Sequence, residues 1–562
     1  MRILGLNHSN DSAAALVHEG RVVAAAAEER FSRKKHDSSF PNRAMAWALA
    51  EGAMTVDECD AIAFFWNPVR QMDAPHSRWV AQPRTQLEYL YSLPNQLFGQ
   101  EDLSALPYVE LRVPLPSGDK RLLYITHHLC HAAHAFFDSP FPRAAILTVD
   151  GYGERASTTI SRGVGGAIKP LWEAHFPHSV GAVYAALTEY LGFQANNGEG
   201  KVMGLASYGQ PHFHDVMEDL LRITEDGFEV DLSYVNYYMD RPTRYSERLV
   251  SRLGPPREAE GAIEERHQHI AASLQMRVEE VLVHLAKLAR KKTGESNLCM
   301  AGGVVLNCVA NERVARESGF DEVFFQPACH DAGTSAGAAL YAAQVLLGDG
   351  VGVRPEVKTD YLGPQYDADA LRRAIDFAGV SFRECKDPNQ ETAEQLARGR
   401  IVGRFAGRAE FGPRALGNRS ILAAPGPSSV KDVLNARVKR RESFRPFAPS
   451  VPEAMCGELF DRSEPSPFMI RAYRTKAEHL DALGAITHVD GSARVQTVSK
   501  AQNGDYAALI EAYGKASGIP CVLNTSFNVR GEPIVNTPED ALRCFFSTGM
   551  DALLLGPYLV EK

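Results

Sequence analysis

The sequence predicts an α/β protein whose N-terminal region is duplicated. Three features carry the prediction: a strand–turn–strand opening that recurs near residue 144, a strand–glycine pair–helix segment near residue 300, and a change of character beyond about residue 345. Arg2 to Leu6, Ser12 to Val17 and Arg21 to Ala27 are β-rich apolar runs, and the third follows the tight-turn tripeptide His18-Glu19-Gly20. From Ala144, AAILTVDGYGERASTTISR repeats that grammar as an apolar strand, an Asp/Gly turn and a Thr/Ser-rich return strand.

Paired hairpins of this kind, each with a strand leading into an acidic or amide-bearing turn, resemble the actin, hexokinase and heat-shock-ATPase superfold, where nucleotide sits between two lobes. The periodicity then predicts a long helix around Ile270 to Lys292. In SNLCMAGGVVLN that follows, Gly302 and Gly303 remove side chains where a strand turns into a helix; the pair serves either close approach to a nucleotide or a tight packing turn. NNGEGKVMGLASYGQ, with Asn196, Glu199, Lys201 and four glycines, reads as a polar loop too Gly-rich for a helix interior. Beyond residue 345, LLGDGVGVRPEVKTDYLGPQYDADAL reads as a domain exit, with a boundary near Pro355.

HHLCHAAH places His127 and His131 four apart on one helical face, and Asp150 ends the strand that follows. Two imidazoles and a carboxylate suit Zn²⁺, Fe²⁺ or Mn²⁺ better than Mg²⁺ or Ca²⁺, because the latter prefer all-oxygen shells. The same spacing also serves ordinary polar residues on a half-buried helix. Asp331, before Gly333 and a small-residue helix, is either a fourth ligand or a helix N-cap.

Composition narrows the class. The chain has 562 residues, 45% hydrophobic and 23% charged, a net charge of -9 and nine cysteines without paired spacing. This predicts a soluble protein of a reducing cytoplasm, with no membrane partner and no general nucleic-acid binding. Local basic clusters then have small anionic targets. Between Arg404 and Arg445 lie ten Lys/Arg against three Asp/Glu. Arg414 and Arg419 are set among Gly412, Pro413 and Gly417, and Arg445 precedes Pro446-Phe447, contexts that aim single guanidinium groups at phosphate-like oxygens. Lys439 adds a point charge, and GIPCVLNTSFNVRGEPIV supplies the short polar side chains Asn524, Thr525, Ser526 and Asn528.

Taken together, GLNxxxDSAAAL, EERFSRKKH, HHLCHAAHAF, LTVDGYGE, NGEGKVMGLASYG, AGGVVLN, HDAGTSAGAA, EFGPRALGNRS, VKRRESFRPFAP and NTSFNVRGEPIV resemble the NodU/CmcH-type O-carbamoyltransferases of nodulation-factor and antibiotic biosynthesis, from end to end of the chain. The resemblance implies two active sites. Residues 1–355 would form an actin/hexokinase-like (ASKHA) two-lobe carbamoyl-transfer domain, similar to tRNA threonylcarbamoyl-transferring enzymes, and residues 356–562 a YrdC-like α/β domain that makes carbamoyl adenylate from carbamoyl phosphate and ATP. His127, His131, Asp150 and Asp331 then resemble metal ligands, expected to hold Fe²⁺ or another divalent transition metal. Glu199, Lys201, Gly302, Gly303 and Asn307 fall in motifs around the adenylate. Arg414, Lys439, Arg445, Arg494, Asn524, Ser526 and Asn528 fall in motifs that bind carbamoyl phosphate and Mg²⁺-ATP, and Arg414 and Lys439 count among the catalytic residues. The carbamoyl acceptor would be a hydroxylated small-molecule natural product, and a homodimer is the family expectation.

Two positions depart from the family pattern. Asn10-Asp11-Ser12 stands where the family commonly has His-Asp, so the base that deprotonates the acceptor is open between Asp11, the metal and the leaving phosphate, with Asn10 left to orient the acceptor. His8 is two residues away and is not a simple replacement. His134, at i+7 from His127, is either a supporting group behind the metal or a packing residue. Acceptor contacts are expected from Trp66 to Leu115 and from Asp231 to Glu260. Two other readings follow from the same motifs: a tRNA-modifying carbamoyl-type transferase, and a non-catalytic actin-like nucleotide-binding protein.

Overall fold

Arg2–Asn7 (β1) is buried on both faces, the pattern of a central strand covered on either side. It pairs antiparallel with Ala13–His18 (β2), which neighbours Arg21–Ala27 (β3), and parallel with Ala61–Phe64 (β4). Tyr108–Leu115 (β5) and Gly118–Ile125 (β6) complete a sheet in the order β3-β2-β1-β4-β6-β5. The computed structural model describes residues 1–68, 106–115, 118–239 and 241–562, so the 69–105 part of the expected acceptor stretch lies outside the described residues.

The second hairpin builds the same object. Helix α1 (His127–Phe137) follows β6; then Arg143–Val149 (β7), Ala156–Val164 (β8) and Ala167–His175 (β9) form an antiparallel meander. Helices α2 (Val180–Tyr190) and α3 (Glu199–Ala206), a small hairpin of β10 (Leu221–Thr224) and β11 (Gly227–Val230), and the long α4 (Glu265–Thr293) intervene before β12 (Asn297–Ala301). After α5 (Cys308–Glu317), β13 (Glu322–Phe325) pairs parallel with β12, which pairs parallel with β7. The order β9-β8-β7-β12-β13 repeats β3-β2-β1-β4-β6 strand for strand. This is the duplicated actin/hexokinase-like architecture. Helix α6 (Ala332–Tyr341) follows β13 as α1 follows β6, so the two are equivalent elements of the two lobes.

One local expectation is corrected. Glu199–Ala206 is a helix and not a loop, despite Gly200 and Gly204 within it. Val202, Leu205 and Ala206 are buried and α3 packs on α4, so burial of one face overrides the low helix propensity of glycine.

Contacts divide the chain into two units: Met1–Ala25 with Ser38–Glu356, and Ala26–Asp37 with Val357–Lys562. The second unit therefore takes in a short N-terminal segment. Arg33 of that segment donates to the carbonyls of Ile534 at 2.7 Å and Pro533 at 2.9 Å, and the buried Arg30 donates to that of Gly412 at 2.8 Å. The unit is built on eight strands: β14 (Arg383–Glu384), β15 (Val402–Phe405), β16 (Arg419–Ala423), β17 (Ala448–Pro452), β20 (Gln496–Val498), β21 (Val522–Ser526), β22 (Ala552–Leu555) and β23 (Tyr558–Glu561), ordered β14-β23-β22-β15-β16-β21-β17-β20. The small pair β18 (Ala472–Arg474) and β19 (Ser492–Arg494) stands apart. Alternate residues feed two cores: Phe405, Ile421, Leu553 and Leu555 enter one, while Val402, Leu422, Ala552 and Leu554 enter the other.

In the first unit the equivalent helices α1 and α6 cross at glycines. A Cβ on Gly337 would lie 1.9 Å from the Cys130 carbonyl oxygen, and one on Gly333 would lie 1.9 Å from that of Ala328 and 2.7 Å from His134 Nδ1. Gly337→Ala is expected to push α1 from α6 and destabilise the fold by about 1–3 kcal/mol, read as a lower denaturation midpoint with an unchanged m-value.

Candidate functional site

Helix α1 begins at the end of β6 and carries His127 and His131 on the face turned toward the end of β7. Their Nε2 atoms lie 3.1 Å apart, and each meets Asp150 Oδ2, at 3.0 Å from His127 and 3.1 Å from His131. Asp331 Oδ1, from the start of α6, is 3.7 Å from His127 Nε2 and 3.8 Å from His131 Nε2. Donor atoms sharing one ion at about 2.0–2.2 Å stand about 3–4.4 Å apart, according to the coordination geometry; the separations of 3.0–3.8 Å here fall in that range, and all four donors lie within 4.8 Å of each other. Asp331 occupies the cap position of α6 but makes no side-chain cap bond, so its carboxylate faces the histidines and not its own helix. Two imidazole nitrogens with two carboxylates fit a divalent transition metal.

The charges agree with that fit. Burial alone would depress His131, yet the Asp150 and Asp331 carboxylates outweigh it and raise the imidazole to about 9. Burial raises Asp150, but hydrogen bonds from His127 and His131 hold it well below the ordinary carboxylate range. His128, turned away onto the Thr148 hydroxyl at 2.7 Å, is driven down to about 3 by burial and by His127. His134 pairs with Asp138 at 3.5 Å and does not join the set.

The other oxygen of Asp150 serves a different purpose. Oδ1 accepts from the backbone N–H of Gly151 at 2.8 Å and of Gly303 at 3.1 Å. Gly302 has φ of 100°, and a Cβ there would fall 2.2 Å from the Val149 carbonyl oxygen. Gly302 is thus required by the end of β7 whatever else approaches it, and a Cβ on Gly303 would stand 2.9 Å from Asp150 Oδ1. Asn307 is committed as well: its Oδ1 caps α5 through Ala310 N, and its amide exchanges hydrogen bonds with Gln275. Glu199 accepts from Asn196 N at 2.7 Å, and Lys201 lies 5.4 Å from the Phe193 ring.

Asn7 and Glu154 are missed by sequence reasoning. Asn7 ends β1 as Asp150 follows β7, is fully buried, and donates its amide to the carbonyls of Asp11 and Asp331. The turn that holds the exposed Asn10 and half-buried Asp11 is thereby tied to the backbone of Asp331. His8 packs instead against Phe40 and Phe65.

In the second unit Lys439 Nζ is buried and surrounded by four oxygens: the carbonyl and hydroxyl of Ser526 at 2.8 and 3.3 Å, and the carbonyl and Oδ1 of Asn528 at 3.0 and 2.7 Å. Burial, with Arg441 and Arg445 nearby, pushes its pKa well down. The four acceptors favour the ammonium form, whose donors they occupy. Arg441, missed in the sequence, is depressed by burial and then by Arg445 and Arg494, and Arg445 is likewise depressed by burial and by Arg494 and Arg530. Glu442 is the acid beside them, 3.7 Å from Arg445. Such massed guanidinium charge suits an anion of more than one negative charge. Two predicted members are placed elsewhere. Arg419 is buried on the Phe405 ring and donates to the carbonyls of Ala406, Gly407 and Pro364, while the amide of Asn524 donates to Ala415, Ser450 and Gln496. Arg414 is half-buried, before β16.

Residues 2–340 match the carbamoyltransferase N-terminus and residues 393–562 the carbamoyltransferase C-terminus. The chain is 40% identical to an uncharacterized Synechocystis protein, covering all of this chain and 96% of that one. It is 38% identical to the nodulation protein NolNO of Sinorhizobium fredii, over 98% of this chain and 79% of that one. It is also 32% identical to the 3'-hydroxymethylcephem-O-carbamoyltransferase of Amycolatopsis lactamdurans, over 64% of each. The chain belongs to the carbamoyltransferase family. It is an enzyme of carbamoyl transfer. Among the described residues no helix is long and apolar enough to cross a membrane.

Two outcomes follow. A metal must displace the proton that His131 holds up to about pH 9; Co²⁺ affinity is therefore expected to climb with pH, about tenfold per unit for one displaced proton, and to level off above that point, as read by titrations at fixed ionic strength. Lys439→Met strips the donor from Ser526 and Asn528 and is expected to cost about 3 kcal/mol, measured by chemical denaturation.

Proposed function

We propose that this protein is an ATP-dependent O-carbamoyltransferase that works in two stages. The observation that carries the reading is the pairing, in one chain, of a His₂Asp₂ cluster with a half-buried guanidinium cluster. In the second unit, the YrdC-like one, one water hydrolyses carbamoyl phosphate to phosphate and carbamate, and a carbamate oxygen then attacks the α-phosphorus of Mg²⁺-ATP to give carbamoyl adenylate and pyrophosphate. Arg445, Arg494 and Arg441 neutralise the phosphate oxygens, and a ligand-filled site keeps bulk water from carbamate before it reacts. Lys439 holds Ser526 and Asn528 in place through its four contacts, with Arg414 beside the same strand system.

In the first unit the carbamoyl carbon passes to a hydroxyl of a hydroxylated natural product and AMP leaves. His127, His131, Asp150 and Asp331 would hold Fe²⁺ or a similar ion, which supplies a template and positive charge for the nucleotide phosphate. The Gly302-Gly303 turn, anchored by Asp150, presents backbone to the same phosphate, with Glu199, Lys201 and Asn307 in the motifs around the nucleotide. Asn7 sets the hairpin turn beside Asp331, so Asn10 orients the acceptor hydroxyl and Asp11 is the carboxylate nearest in sequence to accept its proton. The named activity of the Amycolatopsis relative supports a small-molecule acceptor.

The test is a single-turnover assay with isotopically labelled carbamoyl phosphate, ATP and Fe²⁺, without acceptor. Wild type and His127→Ala should both form carbamoyl adenylate, whereas Arg445→Ala with Arg494→Ala should lower its yield more than about 100-fold. No adenylate from folded wild-type protein would overturn the two-stage reading.

A further inference from the structure

Helix α1 starts without a side-chain cap of its own: Thr126 at the cap position makes no side-chain bond to the first turn. The first N–H of the helix, that of His127, instead meets the Glu154 carboxylate, at 3.0 Å to Oε1 and 3.2 Å to Oε2. Oε1 also accepts from Asn67 N, just beyond β4, at 2.6 Å. Glu154 is only 8% exposed, and burial raises its pKa against the opposing pull of His127 and these backbone donors.

Glu154 belongs to the same short loop as Asp150. The loop is closed by Gly153 N donating to Ala156 O at 2.6 Å, and it lies hard against the helix start, where a Cβ on Gly153 would stand 3.0 Å from His128 Cδ2 and 3.1 Å from His127 Cβ. One loop therefore delivers both a carboxylate to the imidazole Nε2 atoms and a carboxylate to the backbone of the helix that bears them. Rotation or sliding of α1 relative to Asp150 would have to break the Glu154 contacts first.

We infer that Glu154 is a positioning residue for the metal centre: a helix cap supplied from across the fold that sets the register of His127 and His131 against Asp150. The inference rests on the metal reading above. A carboxylate at a helix N-terminus is favoured by the exposed N–H groups and the helix dipole, and partners one step removed from a metal typically alter its affinity 10–100-fold.

The experiment is Co²⁺ titration of the full chain, followed by visible absorption and by metal analysis, with thermal melting of each metal-free variant. Glu154→Gln keeps the reach and one acceptor, and should bind Co²⁺ nearly as wild type with the same spectrum. Glu154→Asp keeps the charge but withdraws it by one methylene, and should bind about tenfold more weakly with an altered d–d band, as should Glu154→Ala. Wild-type affinity and spectrum in Glu154→Asp would overturn the inference, and so would Gln and Asp variants that are equally weakened. Should Glu154→Ala fail to fold, the Gln/Asp pair decides alone. Wild-type protein that binds no Co²⁺ would overturn the metal reading itself, a failure distinct from variants that match a metal-binding wild type.

Discussion

The carboxylate of Asp150 is the group on which the first unit turns. One oxygen faces two imidazoles at 3.0 and 3.1 Å, and the other holds two backbone N–H groups, one of them from the glycine turn after β12. A residue so placed converts the end of a buried strand into a junction between the helix that carries the histidines and the turn that follows β12. Its position follows from the fold: a parallel strand pair ending at one level leaves its terminal side chains and the helix N-termini together. Duplication then supplies the rest. α1 and α6 are the same element of two lobes, and their near approach at Gly333 and Gly337 brings Asp331 to the histidines. On the first lobe Asn7 takes the equivalent strand end, and an amide there binds backbone where a carboxylate meets two imidazoles.

The second unit solves a different problem. Guanidinium groups that depress one another's pKa are unfavourable for an isolated fold, and an anion bound among them would offset that cost. Lys439 is surrounded by four oxygens of its own chain, while Arg441 donates to Asn435 Oδ1 at 3.2 Å and to the Pro446 carbonyl at 3.1 Å and Arg445 stands beside Glu442. The basic sequence run thus holds residues of different kinds: Arg419 braces backbone, Lys439 braces a loop, and Arg441 and Arg445 accumulate charge together with Arg494 from β19.

Much of this was legible in sequence because its signals are local. Continuous apolar runs with tight turns revealed both hairpins, the four-residue spacing revealed the histidine face, and Asp150 and Asp331 stood at element ends. What stayed hidden depends on contacts between residues far apart in the chain. Glu154 meets Asn67 across 87 positions, and Asn7 reaches Asp331 across 324. Nothing adjacent to either residue marks it. The Ala26–Asp37 segment joins the second unit through Arg30 and Arg33, whose partners Gly412, Pro533 and Ile534 lie hundreds of residues away. Helix α3 was concealed by its glycines because packing on α4, not propensity, stabilises it. Arg419 and Asn524 show the converse: their motifs suit ligand binding, but buried backbone and side-chain partners engage them.

The most direct test of the metal centre is anomalous diffraction from crystals of the full chain equilibrated with Co²⁺ or Fe²⁺. The account predicts one strong peak about 2.0–2.2 Å from His127 Nε2, His131 Nε2, Asp150 Oδ2 and Asp331 Oδ1. A peak elsewhere, or none at this cluster in a crystal whose histidines keep the arrangement described, would contradict it.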